Sequence, residues 1–297
     1  MRIVHIDSGT EMRGGQWQVL RLIEGLQVRG HQNVLVAREQ SPLFERARTL
    51  GFDAREFGLR PLRQAGKSAD IIHAHDARAH TAAAVAAFSS HLVVSRRVAF
   101  AVQRNAFSRL KYARAARYIA VSEYVKQTLL AAEIAPERIS IVYDGVPMLP
   151  PSQGSDILIP ASADPGKGMD LALAGAQRAG LKPLVSRDLE IDLPRAGVFV
   201  YISESEGLGS AVLLAMSAGV PVIASQVGGL REIVQHERTG LLTENSEDSI
   251  ASAIERLRRD RALAQRLAAE ARSMVEQRFS IDRMVTDTLA VYEALGR

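Results

Sequence analysis

Four stretches of the sequence carry side chains and glycines that could do chemistry. In SESEGLGSAVLLAMSAGVPVIAS, Ser203 to Ser225, a single carboxylate, Glu206, precedes Gly207, Leu208, Gly209 and Ser210 where a small-residue helix begins. Backbone N–H groups of Leu208, Gly209 and Ser210 at such a helix start favour phosphate, and a carboxylate beside them can accept hydrogens from hydroxyls. The same glutamate could simply cap its helix. In DPGKGMD, Asp164 to Asp170, Lys167 stands between Gly166 and Gly168 at a strand-to-helix junction. It can reach a phosphate held by backbone amides, or it can be an exposed lysine on a capped helix.

The third stretch is DSGTEMRGGQ, in which Gly14 and Gly15 would let backbone approach a ligand at the next helix, or would only form a turn. It is not G-x-G-x-x-G, which speaks against a dehydrogenase. The fourth is a basic run holding Arg96, Arg97, Arg104, Arg109, Lys111, Arg114 and Arg117 with no acid among them. It reads as a solvated helix face or as a patch for an anionic acceptor or membrane surface. His73, His75 and His80 in HAHDARAH invite a metal, but no acid cluster completes a ligand set, so none is expected. There is no G-x-S-x-G and no D-x-D.

Apolar runs alternating with helical spacing must position these stretches. RIVHI, NVLVA, ADIIHAH, HLVVS, YIAVS and ISIVY read as strands in the first half, and DILIPA, KPLVS, VFVYIS, VPVIAS and TGLLT in the second. QWQVLRLIEGLQVRG reads as a helix burying Val19, Leu22, Ile23 and Leu26, and SPLFERARTLG as one capped by its serine. DGVPMLPPSQGSD, Asp144 to Asp156, breaks the rhythm with three prolines and two glycines and reads as an interdomain linker. Two parallel α/β sheets are expected, with ligands beyond the carboxyl ends of the strands.

The chain has 297 residues, 47% hydrophobic and 24% charged, enough for two packed domains. The absence of cysteine excludes disulfides and thiolate chemistry, and a net charge of +4 with 5% aromatics gives no case for nucleic acid. No apolar run approaches the roughly 20 residues of a spanning helix, and the first residues do not read as a signal peptide. A cytoplasmic protein is expected, at most peripheral to the inner face of the membrane through the Arg96–Arg117 run.

Together these segments resemble the GT-B retaining glycosyltransferases of family 4, an unusually short and divergent member. RGGQWQVLRLIEGLQVRGHQNVLV, ADIIHAHDARAH and YIAVSEYVKQTLL are similar to the family's acceptor domain. PGKGMDLALAGA and ISESEGLGSAVLLAMSAGVPVIASQVGGLREIV, with paired Gly228 and Gly229, are similar to its donor domain. The resemblance implies two Rossmann-like, doubly wound domains facing a cleft, 1–146 and a reduced 147–280, with a helix 281–297 crossing back onto the first. It implies transfer of a sugar from a nucleoside diphosphate sugar to a hydroxyl of a glycan or lipid-linked acceptor, with retention and without a cofactor. Lys167, Glu206 and Arg97 would be catalytic, with Gly166, Gly168, Gly207, Leu208, Gly209 and Ser210 binding the donor. Gly14, Gly15, His75 and Arg96 would lie on the acceptor side. The family's second glutamate falls at Leu214, its arginine partner to the lysine at Ser162, and its acceptor-domain histidine near Arg97. Those losses leave open a non-catalytic GT-B protein that binds a nucleotide, a sugar or a partner enzyme. A sugar epimerase fits poorly, because the glycine fingerprint and a Tyr-x-x-x-Lys pair are missing from their places.

Overall fold

The run RIVHID buries Ile3, Val4 and Ile6 completely and forms strand β1, Arg2–Asp7. Around it assemble β2 (Gln32–Ala37), β3 (Asp53–Glu56), β4 (Ile71–Ala74), β5 (His91–Arg96), β6 (Arg117–Ala120) and β7 (Ile139–Ile141). All pair in parallel, in the order β3-β2-β1-β4-β5-β6-β7. A second parallel sheet holds β8 (Asp156–Pro160), β9 (Leu184–Ser186), β10 (Ala196–Tyr201), β11 (Val222–Ser225) and β12 (Leu241–Thr243), in the order β12-β11-β10-β8-β9. The computed structural model describes residues 1–86, 88, 90–100, 102 and 105–296, so Arg104 of the basic run lies outside the described residues. Contacts divide the chain into Met1–Gly145 with Ile281–Arg297, and Val146–Ser280.

Each sheet reverses its winding once. In the first the reversal lies between β1 and β4, in the second between β8 and β10. At such a point the loops leaving neighbouring strands diverge to opposite faces and open a crevice at the carboxyl edge. Local chemistry sets the helix starts. Ser41 caps the helix Pro42–Thr49, accepting from the Phe44 amide at 3.2 Å, and the following proline occupies a position that needs no N–H donor. Ser246 and Asp260 cap the helices Glu247–Arg259 and Arg261–Arg278 in the same way. Strand β3, with the sequence DARE, has no apolar run to mark it. It is an edge strand, where charge deters further pairing. No described helix is long and apolar enough to cross a membrane.

The helix Ile281–Glu293 packs in the first unit against the helix Gly14–Val28. Gly25 permits the approach, since a Cβ there would lie 2.5 Å from Val285 Cγ2. Met284, Val285, Val291 and Tyr292 join Ile3, Leu22, Leu26, Ile71 and Val93 in one apolar cluster. The Tyr292 hydroxyl, inside that cluster, lies 2.6 Å from His73 Nδ1. Tyr292→Phe should therefore cost about 1 kcal/mol of unfolding free energy. Tyr292→Ala, which also empties the ring's space, should cost about 3–5 kcal/mol, read by urea denaturation.

Candidate functional site

In the second unit, Lys167 follows β8 and Glu206 follows β10, the two strands flanking the reversal. Their side chains meet. Lys167 Nζ donates to Glu206 Oε2 at 2.6 Å, and the Tyr201 hydroxyl donates to the same oxygen at 2.5 Å. The Gly207 amide donates to Oε1 at 3.1 Å. Glu206 is therefore not a helix cap, and Lys167 is not a solvated lysine. The lysine side chain is 32% exposed and the glutamate 14% exposed, so the pair sits at an edge that a ligand could reach. Burial, then the adjacent Glu206 carboxylate, hold the Tyr201 phenol well above its ordinary range, so it remains a donor.

Glycines set the loops. Gly168 has φ +54° and starts the helix Met169–Arg178; a Cβ there would lie 2.7 Å from Ile202 Cγ2. Gly209, at φ +104°, starts the helix Ser210–Ser217 in a conformation that L side chains rarely adopt. The carbonyl of Gly166 accepts from the Glu204 amide at 2.9 Å and the Ser203 hydroxyl at 3.2 Å, which ties the lysine loop to the glutamate loop. Gly229 donates its amide to the Glu206 carbonyl at 3.0 Å. Leu208 is buried beneath the turn. Tyr201 was not singled out in the sequence because an aromatic at a strand end reads as packing; only its spacing of five from Glu206 could have raised it.

In the first unit, polar groups gather at the carboxyl ends of β1, β4, β5 and β7. Arg97, just past β5, pairs with Asp144, just past β7, and both are largely buried. Gly15 packs close to Arg97, since a Cβ on it would lie 3.5 Å from Arg97 Cδ. Gly14 begins that helix. Asp7 accepts from the Gly9 amide at 2.8 Å and from Gln16 Nε2 at 3.0 Å, and burial raises its carboxyl above the ordinary range. Arg96 does not join this group. Its guanidinium turns to the Tyr112 hydroxyl at 3.1 Å and to the Phe100 carbonyl. Asp7 and Gln16 bound the DSGTEMRGGQ stretch and Asp144 opens the linker, but their side chains were given no role there, because single polar residues after strands carry no motif.

His75 belongs to a trio that His5 completes. One nitrogen of each of His5, His73 and His75 lies within 4.8 Å of the others. The expectation of no metal rested on His73, His75 and His80 and the lack of an acid cluster beside them, and left out His5, which β1 places opposite His73. The proton positions follow from Asn33, whose amide nitrogen donates to the His31 carbonyl at 3.0 Å. Its oxygen therefore accepts from His5 Nε2 at 3.1 Å. His5 Nδ1 then accepts from His75 Nε2 at 3.0 Å, and two of the facing nitrogens share one proton. His75 Nδ1 is left as a buried lone pair without a hydrogen-bond partner among the described residues.

The description Glycosyltransferase Family 4 matches residues 12–148, and Glycosyl transferases group 1 matches residues 183–274. The fold is similar to that of Anabaena HepE, solved with UDP and glucose, at TM-score 0.85 and 18% identity over 99% of this chain and 100% of that one. The chain has the GT-B fold, and the two glycosyltransferase family models between them match most of its length. The chain is 30% identical to the D-inositol 3-phosphate glycosyltransferase of Jonesia denitrificans over 193 residues, 55% of this chain and 45% of the relative. It is 36% identical to the lipopolysaccharide core biosynthesis glycosyltransferase LpsD of Rhizobium meliloti over 96 residues, 32% of this chain and 28% of that one. The chain spans less than half the length of the curated relatives it matches.

In the second unit, Leu214 is buried in the helix Ser210–Ser217 and presents only hydrocarbon. Ser162 bonds locally, its hydroxyl accepting from the Asp164 amide at 3.1 Å. The histidine trio has a consequence for stability. Burial lowers His5 from its ordinary 6.5 to about 4, and burial with the neighbouring imidazoles lowers His73 and His75 well below the ordinary value. Above about pH 7 these rings are neutral folded and unfolded, so they give no slope. As the pH falls from 6.5 toward 4, the unfolded chain takes up protons that folded His5 refuses, and stability drops. The loss from His5 alone should be on the order of 3 kcal/mol by the end of that window. Urea midpoints measured across it should fall, and should fall less steeply in His5→Gln.

Proposed function

We propose that this chain transfers a sugar from a nucleoside diphosphate sugar to a hydroxyl of a glycan or glycolipid acceptor, with retention of configuration. The meeting of Lys167 and Glu206 at the winding reversal of the second sheet carries this reading. In the reaction the bond between the anomeric carbon and the diphosphate oxygen breaks, and its electron pair leaves with the diphosphate. The acceptor oxygen bonds that carbon, and its proton passes to the departing diphosphate. The barrier lies largely in the charge gathering on the leaving group, which fixed cations and oriented amides offset. Lys167 supplies the cation, and the loop from Gly207 to Ser210, with Gly166 and Gly168, cradles the phosphates. Glu206, held by Tyr201, accepts hydrogens from the sugar's hydroxyls. Arg97 supplies charge on the acceptor side, where Gly14, Gly15 and His75 shape the loops, while Arg96, turned to Tyr112, takes no part. UDP is the first nucleotide to try, because HepE was solved with it.

The replacement of two family side chains by Leu214 and Ser162 favours a second reading, a GT-B protein that binds without turnover. Calorimetry with UDP, GDP, ADP and CMP separates the two. One diphosphate should dominate, and Lys167→Ala should weaken it about tenfold or more, some 1.4 kcal/mol. Glu206→Ala should leave that affinity nearly intact and abolish sugar transfer from the matching donor. Binding of none of the four would sink the transferase reading.

A further inference from the structure

We propose that the cavity at the carboxyl ends of β1, β2 and β3 holds a neutral sugar ring of the acceptor, which is then a glycan of at least two linked sugars. The cavity measures about 360 Å³ and is lined by Thr10, Arg38, Glu39, Gln40, Glu56 and Phe57, all of the first unit. Its frame is fixed by the sheet. The Phe57 amide donates to the Ala37 carbonyl at 2.7 Å, which carries the β2–β3 pairing to the cavity's edge. Arg38 Nε donates to the Ser8 carbonyl at 2.8 Å, and the Ser8 hydroxyl donates to Asp76 at 2.8 Å. Gln40 holds φ +62°, a left-handed conformation uncommon outside glycine and concentrated at ligand sites. The frame leaves its polar ends unused. The other two guanidinium nitrogens of Arg38, and the side chains of Thr10, Glu39, Gln40 and Glu56, have no hydrogen-bond partner among the described residues.

Charge selects the ligand. The lining sets two carboxylates, Glu39 and Glu56, against one guanidinium, so phosphates and carboxylates are repelled, while Arg38 opposes a cation. A neutral polyol satisfies both signs. Its hydroxyls donate to the carboxylates and accept from Arg38 in charge-assisted hydrogen bonds. Phe57, half-buried, offers ring surface to the C–H side of a pyranose. Small-ligand pockets are mostly apolar with a few polar groups, and this one inverts that balance, as a sugar requires. Position sets the length of the ligand. Strands lie about 4.8 Å apart, so the gap between β2 and β3 is roughly 10 Å along the sheet from the winding reversal between β1 and β4. One sugar ring does not cover that span, and two linked rings do. The inference rests on the transferase reading for the reacting hydroxyl, which it places at the reversal; binding in the cavity needs no donor.

The test is saturation-transfer NMR on the intact protein without nucleotide, with glucose, glucose 6-phosphate, maltose, cellobiose and lactose as probes. At least one disaccharide should bind, about fivefold or more tighter than glucose, and glucose 6-phosphate should bind more weakly than glucose. Glu56→Gln and Phe57→Leu should each weaken the disaccharide by about threefold or more. Glu56 is exposed and has no partner to lose, so its variant should keep the thermal midpoint, which separates loss of binding from loss of fold. Saturation of none of the three disaccharides would overturn the proposal. So would disaccharide binding unchanged in both variants, or glucose 6-phosphate binding more tightly than glucose. Nucleotide calorimetry reads the donor site separately. A disaccharide bound by a protein that takes no nucleotide would uphold the cavity while the transferase reading falls, and a nucleotide bound with no disaccharide would do the reverse.

Discussion

Glu206 Oε2 receives two donors at once, an ammonium from the loop after β8 and a phenol from the end of β10. This convergence is possible only because the strand order of the second sheet puts β8 beside β10 and sends their loops apart. The glycines with positive φ, Gly168 and Gly209, then begin the two helices close to the strands. The parts depend on one another in that order: sheet order, loop divergence, glycine turn, charge pair. An anionic ligand entering here would compete with Glu206 for the lysine, while Tyr201 and the Gly207 amide keep the carboxylate in place. The pair thus leaves no uncompensated charge at a half-buried edge.

The first unit follows another logic. The side chains beyond β5 and β7 and at the end of β1 already satisfy one another, Arg97 with Asp144 and Asp7 with Gln16. The histidine trio extends that network inward to Tyr292, so the terminal helix bears on the same strand ends that carry Asp7 and His75. A buried network of this kind fixes geometry when it is satisfied. His75 Nδ1 is the place where it is not.

Strands were legible wherever burial on both faces of a parallel sheet demanded an unbroken apolar run, as in RIVHID or VFVYIS. Strand β3 was not, because an edge strand has no such demand and is built from DARE. Lys167 and Glu206 were legible because their glycine neighbours are local in the chain. Tyr201 and Asp144 were not, since their roles come from pairing across sequence separations that periodicity does not encode. The basic run was visible as charge, but the outward turn of Phe107 and Leu110 on the helix Ala106–Ala113 was not. Helical spacing places those residues on a common face and leaves unsaid which way that face points.

Leu214 bears on both function and stability. The helix Ser210–Ser217 buries Val212, Leu213, Leu214, Ala215 and Met216, and Leu214 is 7% exposed. A carboxylate in its place would lose most of its hydration in the unliganded protein and would need ligand hydroxyls or a cation to offset that loss. Leucine removes this cost and extends the apolar packing of a helix that must start sharply at Gly209. The trade is one commonly met at binding sites, where groups kept for a ligand destabilise the empty protein. In this chain the helix interior is left apolar, and the polar groups gather at its mouth, where Lys167, Tyr201 and Glu206 meet.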